Sequence, residues 1–269
     1  MRYVVVFLLL IESHIVFSHE YTVGVVPQFA SQKLNEIWQP LLVEVSNRTG
    51  VTLKLVTEKS IPAFEKSFQE GKYDFAYMNP WHSVIAYEKQ GYIPFIKDGS
   101  RKLRGILVVN KEALITNITE LDGYEVAFPS ANALGASLLI RSDLKQLFDL
   151  NIKPLYVKTH PSVYFNVALK KTIAGGGVMG TLQTQPQNLQ EKLKVIYQTR
   201  EVSPHPMTSH PRVPLEVKKK IQTAFIAISN DPHYQYLLNG IPIDKAVEAT
   251  TSDYAVLKEW GLDEFYVEN

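Results

Sequence analysis

Cysteine is absent from this 269-residue sequence, and neither sign of charge is in excess. Without cysteine the chain forms no disulfide, thiolate zinc site or iron–sulfur cluster, and it offers no cysteine nucleophile and no cysteine that could carry a lipid. Lysine and arginine number 28 against 27 aspartate and glutamate residues, a formal net charge of +1. A chain so close to neutral lacks the broad basic surface that binds a nucleic-acid backbone, so we expect no nucleic-acid partner.

Long apolar runs are also scarce, with one exception at the N-terminus. Arg2 supplies a positive start, Val4–Ile11 is an unbroken apolar run, and Val16 and Ser18 suit a cleavage site. The alternative is an uncleaved membrane anchor, but the run is shorter than the roughly 20 residues that a membrane span needs. We therefore predict a cleavable signal peptide over residues 1–18 and an exported, periplasmic product that is not a lipoprotein.

The remaining residues alternate between strand and helix patterns. Hydrophobic residues make up 45% of the chain, enough for a well-buried core. The order is typical of an α/β fold, with helices on the faces of a sheet. The predicted strands are 21–26, 51–56, 74–78, 105–109, 125–128, 154–158, 173–178 and 193–197. The predicted helices follow Ser31 and Ser130 and span 61–71, 80–91, 162–170, 215–229 and 251–261.

Several residues mark the ends of these helices. Ser31 is the predicted cap of the first helix, and Gly50 is its predicted end. Asn79 followed by Pro80 is a typical helix start, with asparagine as the cap and proline at the first helical position. The first helix is predicted to bury one face: Leu34, Ile37, Trp38, Leu41, Leu42 and Val45.

The element order predicts two lobes. We assign residues 19–108 and 204–269 to lobe 1, and residues 109–203 to lobe 2, with crossovers near 101–107 and 199–206. A cleft between two lobes is a common ligand site, because closure of the lobes removes the ligand from water.

A resemblance to a known family rests on several stretches in their order along the chain. They are YDFAYMNPWHSVIAYE (73–88), LRGILVVNKE (103–112), ELDGYEVAFPSANALGASLL (120–139), KTHPSVYFNVA (158–168), AGGGVMGT (174–181) and HPMTSHPRVP (205–214). The sequence resembles the substrate-binding proteins of phosphate, phosphite and phosphonate ABC transporters (PhnD-like). The resemblance implies an α/β, two-lobed type II periplasmic binding protein with a central cleft and two crossover connections. Such a protein captures a small oxyanion for a permease in the inner membrane.

The strongest chemical feature is the helix start that follows the strand ending at Phe128. The unpaired amides there, with the roughly half positive charge of the helix dipole, form an anion cradle over Ser130, Ala131, Asn132 and Ala133. Ser130 can donate a hydroxyl and Asn132 an amide to the anion. Family members usually carry Ser-Thr or Ser-Ser here, so Ala131 removes one hydroxyl. The alternative is an ordinary N-cap, with Ser130 satisfying its own helix.

A second strand-to-helix junction lies in lobe 1. Asn79 is the predicted cap, and Trp81 and His82 fall in the first helical turn, where a ring N–H can reach a ligand. Tyr77, at the end of the strand, is also a candidate for ligand binding. The alternative is a cap followed by aromatic side chains of the core.

A third junction contains His160 and Ser162. The resemblance implies that His160 faces the ligand, whereas Ser162 either caps its helix or binds the anion. Gly177, in the run Gly175–Gly177, permits close approach of a ligand or tight packing at a strand end. The absence of an acidic residue in that run favours a fully ionised oxyanion.

Four further residues complete the candidate set. Gln28 and Phe29 follow the first strand, where an aromatic ring would cover an organic substituent of the ligand or would simply pack. His205, near the second crossover, is another candidate contact. His205 and His210 are each followed by proline and need not converge, so we expect no metal site.

These features favour non-enzymatic capture of phosphate, phosphite or a phosphonate by a monomer that has no cofactor and no catalytic residues. One alternative is a ligand-sensing module that signals to a membrane kinase. Another is a metal-dependent phosphoesterase, which would need clustered carboxylates or histidines beside an activated water.

Overall fold

The computed structural model describes residues 19–268, and the predicted signal peptide, residues 1–18, lies outside them. The strands are β1 (Glu20–Val25), β2 (Thr52–Thr57), β3 (Phe75–Tyr77), β4 (Ile93–Asp98), β5 (Gly105–Asn110), β6 (Glu125–Phe128), β7 (Lys153–Tyr156), β8 (Ala174–Val178), β9 (Leu193–Gln198), β10 (Met207–Ser209) and β11 (Ala246–Glu248). The helices are α1 (Ser31–Thr49), α2 (Ile61–Gln69), α3 (Pro80–Gln90), α4 (Leu139–Gln146), α5 (His160–Ala168), α6 (Met179–Gln183), α7 (Gln187–Gln190) and α8 (Leu215–Asn230). A π-helical turn, Leu134–Leu138, leads directly into α4. Among the described helices, none has the length and apolar character needed to cross a membrane.

The strands within residues 19–268 form two sheets. The first has the order β11-β4-β10-β3-β1-β2, with β1, β2 and β3 parallel and β10 antiparallel to both of its neighbours. The second has the order β7-β6-β8-β5-β9, with β6, β7 and β8 parallel and β5 antiparallel to β8 and β9. Each sheet with its helices makes one lobe of an α/β fold.

The chain crosses between the lobes twice, between β4 and β5 and between β9 and β10. The two crossing segments pair with each other at Leu103 and Val202, whose amides donate to each other's carbonyls at 2.9 and 3.0 Å. Strand β5 lies wholly in the second sheet, whereas the predicted boundary after residue 108 would divide it. The sheet membership therefore places the start of the second lobe at Gly105 rather than at residue 109.

Apolar packing joins the lobes as well as filling them. Lobe 2 has two clusters of its own, one on each face of its sheet. Six of its residues belong instead to the large cluster of lobe 1, namely Ala133, Leu134, Ala136, Leu138, Leu139 and Val178. The beginning of the helix over Leu134–Gln146 therefore sits against the first lobe.

The C-terminal tail, residues 249–268, forms a further connection between the two lobes. Nη2 of Arg141, in lobe 2, donates to the carbonyls of Ala131 and Phe265, both at 2.7 Å. The guanidinium of Arg200 lies 4.2 Å from the centre of the Trp260 ring. The tail thus bridges from lobe 1 onto the face of lobe 2 that carries α4.

Two of the predicted helix ends are confirmed by the structure, and one is wrong. The buried face of α1, its end at Gly50 with φ of 68°, and the cap at Asn79 are confirmed. The predicted cap at Ser31 is wrong, because Ala30 holds the capping position without a side-chain bond and Ser31 is the first helical residue.

Three strands were not predicted from the sequence, namely β4, β10 and β11. Strand β10 has three residues between two His-Pro pairs, too few for an alternating pattern to show, yet it lies between β4 and β3 in the sheet. Its position is set by tertiary pairing, which brings the preceding His205 to the boundary between the lobes.

Candidate functional site

Two adjoining chambers lie between the lobes and are lined by residues of both. The inner chamber, with a volume of about 10 Å³, is lined in part by Asn79, His160 and residues 133–136. That volume is near the roughly 10–15 Å³ that one water requires. The outer chamber has a volume of about 480 Å³. The residues that line both chambers are Val26, Gln28, Val178 and His205.

A helix start forms one wall of the inner chamber. The first bonds within this helix run from the amides of Ser137 and Leu138 to the carbonyl of Ala133, at 2.8 and 3.1 Å. The amides of residues 134–136, which lie between Ala133 and Ser137, come before the first intrahelical bond, as at any helix N-terminus. They bring the positive end of the helix dipole to the chamber.

Glycines in the underlying sheet let this helix start rest directly on the strands. A Cβ added to Gly105 would lie 2.0 Å from the carbonyl oxygen of Gly135. A Cβ on Gly176 would lie 2.2 Å from the carbonyl oxygen of Ala136 and 2.6 Å from the Phe128 ring. Because no side chain fits at either position, the two glycines set the depth at which the amides lie.

The predicted anion cradle, Ser130 to Ala133, is displaced from the helix start that the structure shows. Within that run, Ala133 lines the inner chamber, and Ser130 and Ala131 line neither chamber. The chain makes an additional turn after β6, so that the helix begins at Leu134. The polar Ser-Ala-Asn sequence lies in this turn and not at the first amides of the helix.

Asn132 joins the lobes to the tail. Its Nδ2 donates to Oε2 of Glu65 at 3.1 Å and to the carbonyl of Val267 at 2.7 Å. Its Oδ1 accepts from the amide of Val267 at 2.9 Å, and its own carbonyl accepts from Nδ2 of Asn79 at 3.0 Å. With both side-chain groups engaged in this way, Asn132 acts as a connector and its predicted donation to a ligand is not supported.

His160 lines the inner chamber and is held by a hydroxyl network. Its Nδ1 lies 3.1 Å from Oγ1 of Thr181, which in turn lies 2.8 Å from the hydroxyl of Tyr164. The carbonyl of Val178 lies 3.0 Å from both hydroxyls, and when Tyr164 is the one that donates to it, Thr181 can donate to Nδ1 instead. The imidazole hydrogen is then on Nε2, where it is available as a donor.

His205 and Gln28 line both chambers, and Tyr77 beside them lines the outer one. The Nε2 atoms of Gln28 and His205 are 3.5 Å apart. The ring of Tyr77 stacks on that of His205, with centroids 5.5 Å apart, and lies 4.8 Å from the ring of Trp38. Phe29 lines the outer chamber. All four predicted residues of this group therefore border the chambers.

Asn79 and His82 belong to one network, but only Asn79 reaches a chamber. Oδ1 of Asn79 caps α3 by accepting from the amide of His82 at 2.8 Å. The His82 ring points into the core, where its Nε2 lies 2.8 Å from Oε1 of Glu65 and neither side chain is exposed. Trp81 packs in the cluster of lobe 1. The prediction that Trp81 and His82 line the cleft is thus contradicted, because the first turn of α3 directs both inward.

Ser162 and Gly177 also lie outside both chambers. The cap of α5 is Thr159, whose Oγ1 accepts from the amide of Ser162 and lies 2.8 Å from its hydroxyl. A Cβ on Gly177 would lie 2.2 Å from the hydroxyl of Tyr164, so this glycine serves packing at the strand end.

The two His-Pro histidines point to different places. His205 lines the chambers, whereas His210 lies edge-on to Tyr92, with centroids 5.0 Å apart, and its Nδ1 accepts from the amide of Arg212. Within residues 19–268, no group of three histidine, aspartate or glutamate side chains is arranged to hold a metal ion.

The lining of the inner chamber, as far as the structure describes it, contains no lysine, arginine, aspartate or glutamate. Burial lowers the pKa of His160 to about 4. Burial, with a smaller contribution from the neighbouring His82 and His160, lowers the pKa of His205 to about 3. The groups that the inner chamber offers to a ligand are therefore neutral hydrogen-bond donors and the positive end of a helix dipole.

These two histidines predict that the protein loses stability in mild acid. In the unfolded chain each has an ordinary pKa of 6.5, so between about pH 6.5 and pH 4 the unfolded state binds more protons than the folded state. As the pH decreases through this range, the free energy of unfolding should decrease by up to about 1.4 kcal/mol per pH unit for each histidine. Urea denaturation at pH 7, 6 and 5 measures the slope. The His160→Gln variant should show a shallower slope, and an unchanged one would contradict the assignment.

Sequence reasoning missed the residues that build most of the walls. They include Leu134, Gly135 and Ala136 in the inner chamber and Ile37, Trp38, Met179, Thr181 and Ile241 in the outer one. The small residues Gly135-Ala136 were the available signal, since a helix start that approaches a sheet needs small side chains. The apolar residues of the outer wall look in sequence like any core residue.

Comparison with known proteins places this geometry in a family. The family model described as the periplasmic substrate-binding protein of phosphonate ABC transporters matches residues 23–254. A binding protein component of an ABC phosphonate transporter from Pseudomonas aeruginosa superposes with a TM-score of 0.80 at 16% identity, over 90% of this chain and 85% of that one. PhnD1 from Prochlorococcus marinus, in complex with methylphosphonate, superposes with a TM-score of 0.83 at 14% identity, over 92% and 99%. A Xanthomonas citri protein bound to ATP gives 0.74 at 14%, over 91% and 98%.

The superpositions, at such low identity, show the fold, which is that of a two-lobed type II periplasmic binding protein. No curated protein matches the chain. The family match spans both sheets and both crossovers, and it describes a transporter component with a periplasmic location and not an enzyme. The chain therefore belongs to the periplasmic substrate-binding proteins of phosphonate ABC transporters.

Proposed function

We propose that the chain captures the oxyanion group of a phosphonate in the inner chamber and presents the ligand-bound, closed form to a membrane permease. The observation that carries the proposal is the convergence, in one chamber between the lobes, of a helix N-terminus with His160 and His205. Helix N-termini bind phosphate-like anions because their amides point at the ligand and their dipole favours negative charge. The proposal includes export as a monomer after removal of residues 1–18.

The donors come from both lobes. Lobe 2 supplies the amides of residues 134–136 and the Nε2 hydrogen of His160, and lobe 1 supplies His205 and Gln28. Nδ2 of Asn79 carries a second hydrogen besides the one donated to Asn132, and that hydrogen is a further candidate. A ligand that bonds to donors of both lobes stabilises their closed arrangement.

The chemistry of the donors favours a fully ionised oxyanion. The chamber lining offers no carboxylate that would accept a proton from a protonated ligand oxygen. The ligand also brings its negative charge close to His160, which favours the protonated imidazole. An oxyanion group is larger than the single water that the chamber volume would hold, so we expect the lobes to separate slightly at Asn79 and Asn132 as it enters.

Replacement of His160 by leucine tests the proposal. The variant removes one hydrogen bond to a charged ligand, worth about 1.5–3 kcal/mol, so the affinity for a phosphonate should fall about 10- to 100-fold. Calorimetric titration with methylphosphonate and phenylphosphonate measures it. His233→Leu is the matched control, because the His233 side chain is 90% exposed and lines neither chamber. Equal affinities of the two variants would refute the role of His160.

A further inference from the structure

The outer chamber indicates what the phosphonate carries on its carbon atom. It adjoins the inner chamber at Val26, Gln28, Val178 and His205, which line both. A ligand whose oxyanion group lies at the helix start would therefore direct its substituent past His205 into the outer chamber. At about 480 Å³, this space falls in the range of pockets that enclose organic molecules, roughly 300–1,000 Å³.

The larger part of the surface that lines the outer chamber is apolar, and Thr181, Gln183 and Thr184 contribute polar groups from lobe 2. Trp38 and Ile241 are 1% and 2% exposed, and the ring of Tyr77 lies between those of Trp38 and His205. Ile37 and Phe29 add partly buried apolar surface. Such walls gain free energy in proportion to the apolar ligand surface that they remove from water.

Of the charged residues that line the outer chamber, Arg101, Arg104 and Asp244 are engaged in ion pairs, whereas the exposed Lys102 takes part in none of the ion pairs of the described residues. Arg101 lies 3.1 Å from Asp244 and 3.3 Å from Asp98, and Arg104 pairs with Glu201 at 2.5 Å. The two arginines are thus engaged within the protein and do not favour a second anionic group on the ligand, and the remaining cation of the lining, Lys102, is exposed to water. Asp244 is paired as well, which disfavours a substituent that ends in an amine.

We infer that this protein selects ligands in which a terminal phosphonate or phosphate group is attached to a bulky apolar substituent such as an aromatic ring. The inference rests on the proposed function, since it assumes that the oxyanion group occupies the inner chamber. Methylphosphonate would fill the inner chamber and leave the apolar walls of the outer chamber in contact with water.

The test is calorimetric titration of the mature protein with phenylphosphonate, phenyl phosphate, methylphosphonate and 2-aminoethylphosphonate. The phenyl compounds should bind at least about tenfold more tightly than methylphosphonate, because they bury apolar surface that it lacks. The aminoethyl compound should bind more weakly than phenylphosphonate. Comparison of the two phenyl compounds tells whether the carbon–phosphorus bond is itself recognised.

The Gly180→Leu variant provides an internal comparison. Gly180 lines the outer chamber, is exposed, and has no atom within 4 Å of a Cβ built on it, so the larger side chain fits there without a clash and is expected to reduce the space in the chamber. The ratio of the affinities for phenylphosphonate and methylphosphonate should fall about tenfold in this variant. If the wild type binds methylphosphonate as tightly as phenylphosphonate, the inference is overturned and the proposed function stands. If it binds none of the four compounds, the proposed function fails and the inference fails with it.

Discussion

The Gly176→Ala variant is expected to lose about 1–3 kcal/mol of stability, the usual cost of forcing an additional carbon into a packed core. The new Cβ would lie 2.2 Å from the carbonyl oxygen of Ala136 and 2.6 Å from the Phe128 ring, and neither can move freely. Phe128 is fully buried, and Ala136 is part of the helix start that rests on the sheet. Thermal unfolding followed by calorimetry measures the loss.

The same substitution should also weaken phosphonate binding. Moving the Ala136 carbonyl tilts the helix start, and with it the amides that face the inner chamber. Gly180→Ala is the matched control, because its Cβ meets nothing within 4 Å and the residue lies in α6. That control should be neutral or stabilising by up to about 1 kcal/mol, as expected for alanine in place of glycine in a helix. A Gly176→Ala protein as stable as the Gly180→Ala protein would show that the helix start does not depend on contact with β8.

The sequence allowed the fold class to be predicted because its signals are local. Asn79-Pro80 specifies a helix start without reference to the rest of the chain, and Gly50 ends α1 for the same reason. The order of strands and helices then implied two α/β lobes. The strands that escaped, such as β10, are stabilised mainly by pairing with distant strands, as Thr208 pairs with Ala76.

The site was predicted at the level of segments and less well at the level of side chains. His160, His205, Gln28, Asn79 and Tyr77 line the chambers, and their contact with a ligand stays a prediction, whereas Asn132 and His82 bond within the protein. Sequence places a residue on an element, but the direction of its side chain depends on the packing around it. The helix start was misplaced by one turn because Ser130 and Asn132 look like cap residues, while the structure begins the helix after Ala133, which has no polar side chain.

The His82→Leu variant should have the largest effect on stability, a loss of about 3–5 kcal/mol. Glu65 and His82 are both completely buried, and the ring Nε2 lies 2.8 Å from the carboxylate. Leucine can pack against the nearby rings of Phe64 and Phe68, which lie 6.0 and 5.4 Å from the imidazole, but it takes away the ring nitrogen beside Oε1 of a buried carboxylate that keeps its bond from Asn132. Urea denaturation at pH 7 measures the loss.

A double-mutant cycle separates this pairing from simple packing. In the Glu65→Leu,His82→Leu protein no charge is left at this position, so the double variant should lose less stability than the sum of the two single variants, by about 1–3 kcal/mol. Glu65 also accepts from Asn132, which binds the tail at Val267, so both variants that lack Glu65 should loosen the contact between the lobes. If the single losses simply add, the pair contributes only by filling space. A coupling of the expected size would instead mean that the buried network fixes how the two lobes meet, and hence the geometry of the chambers between them.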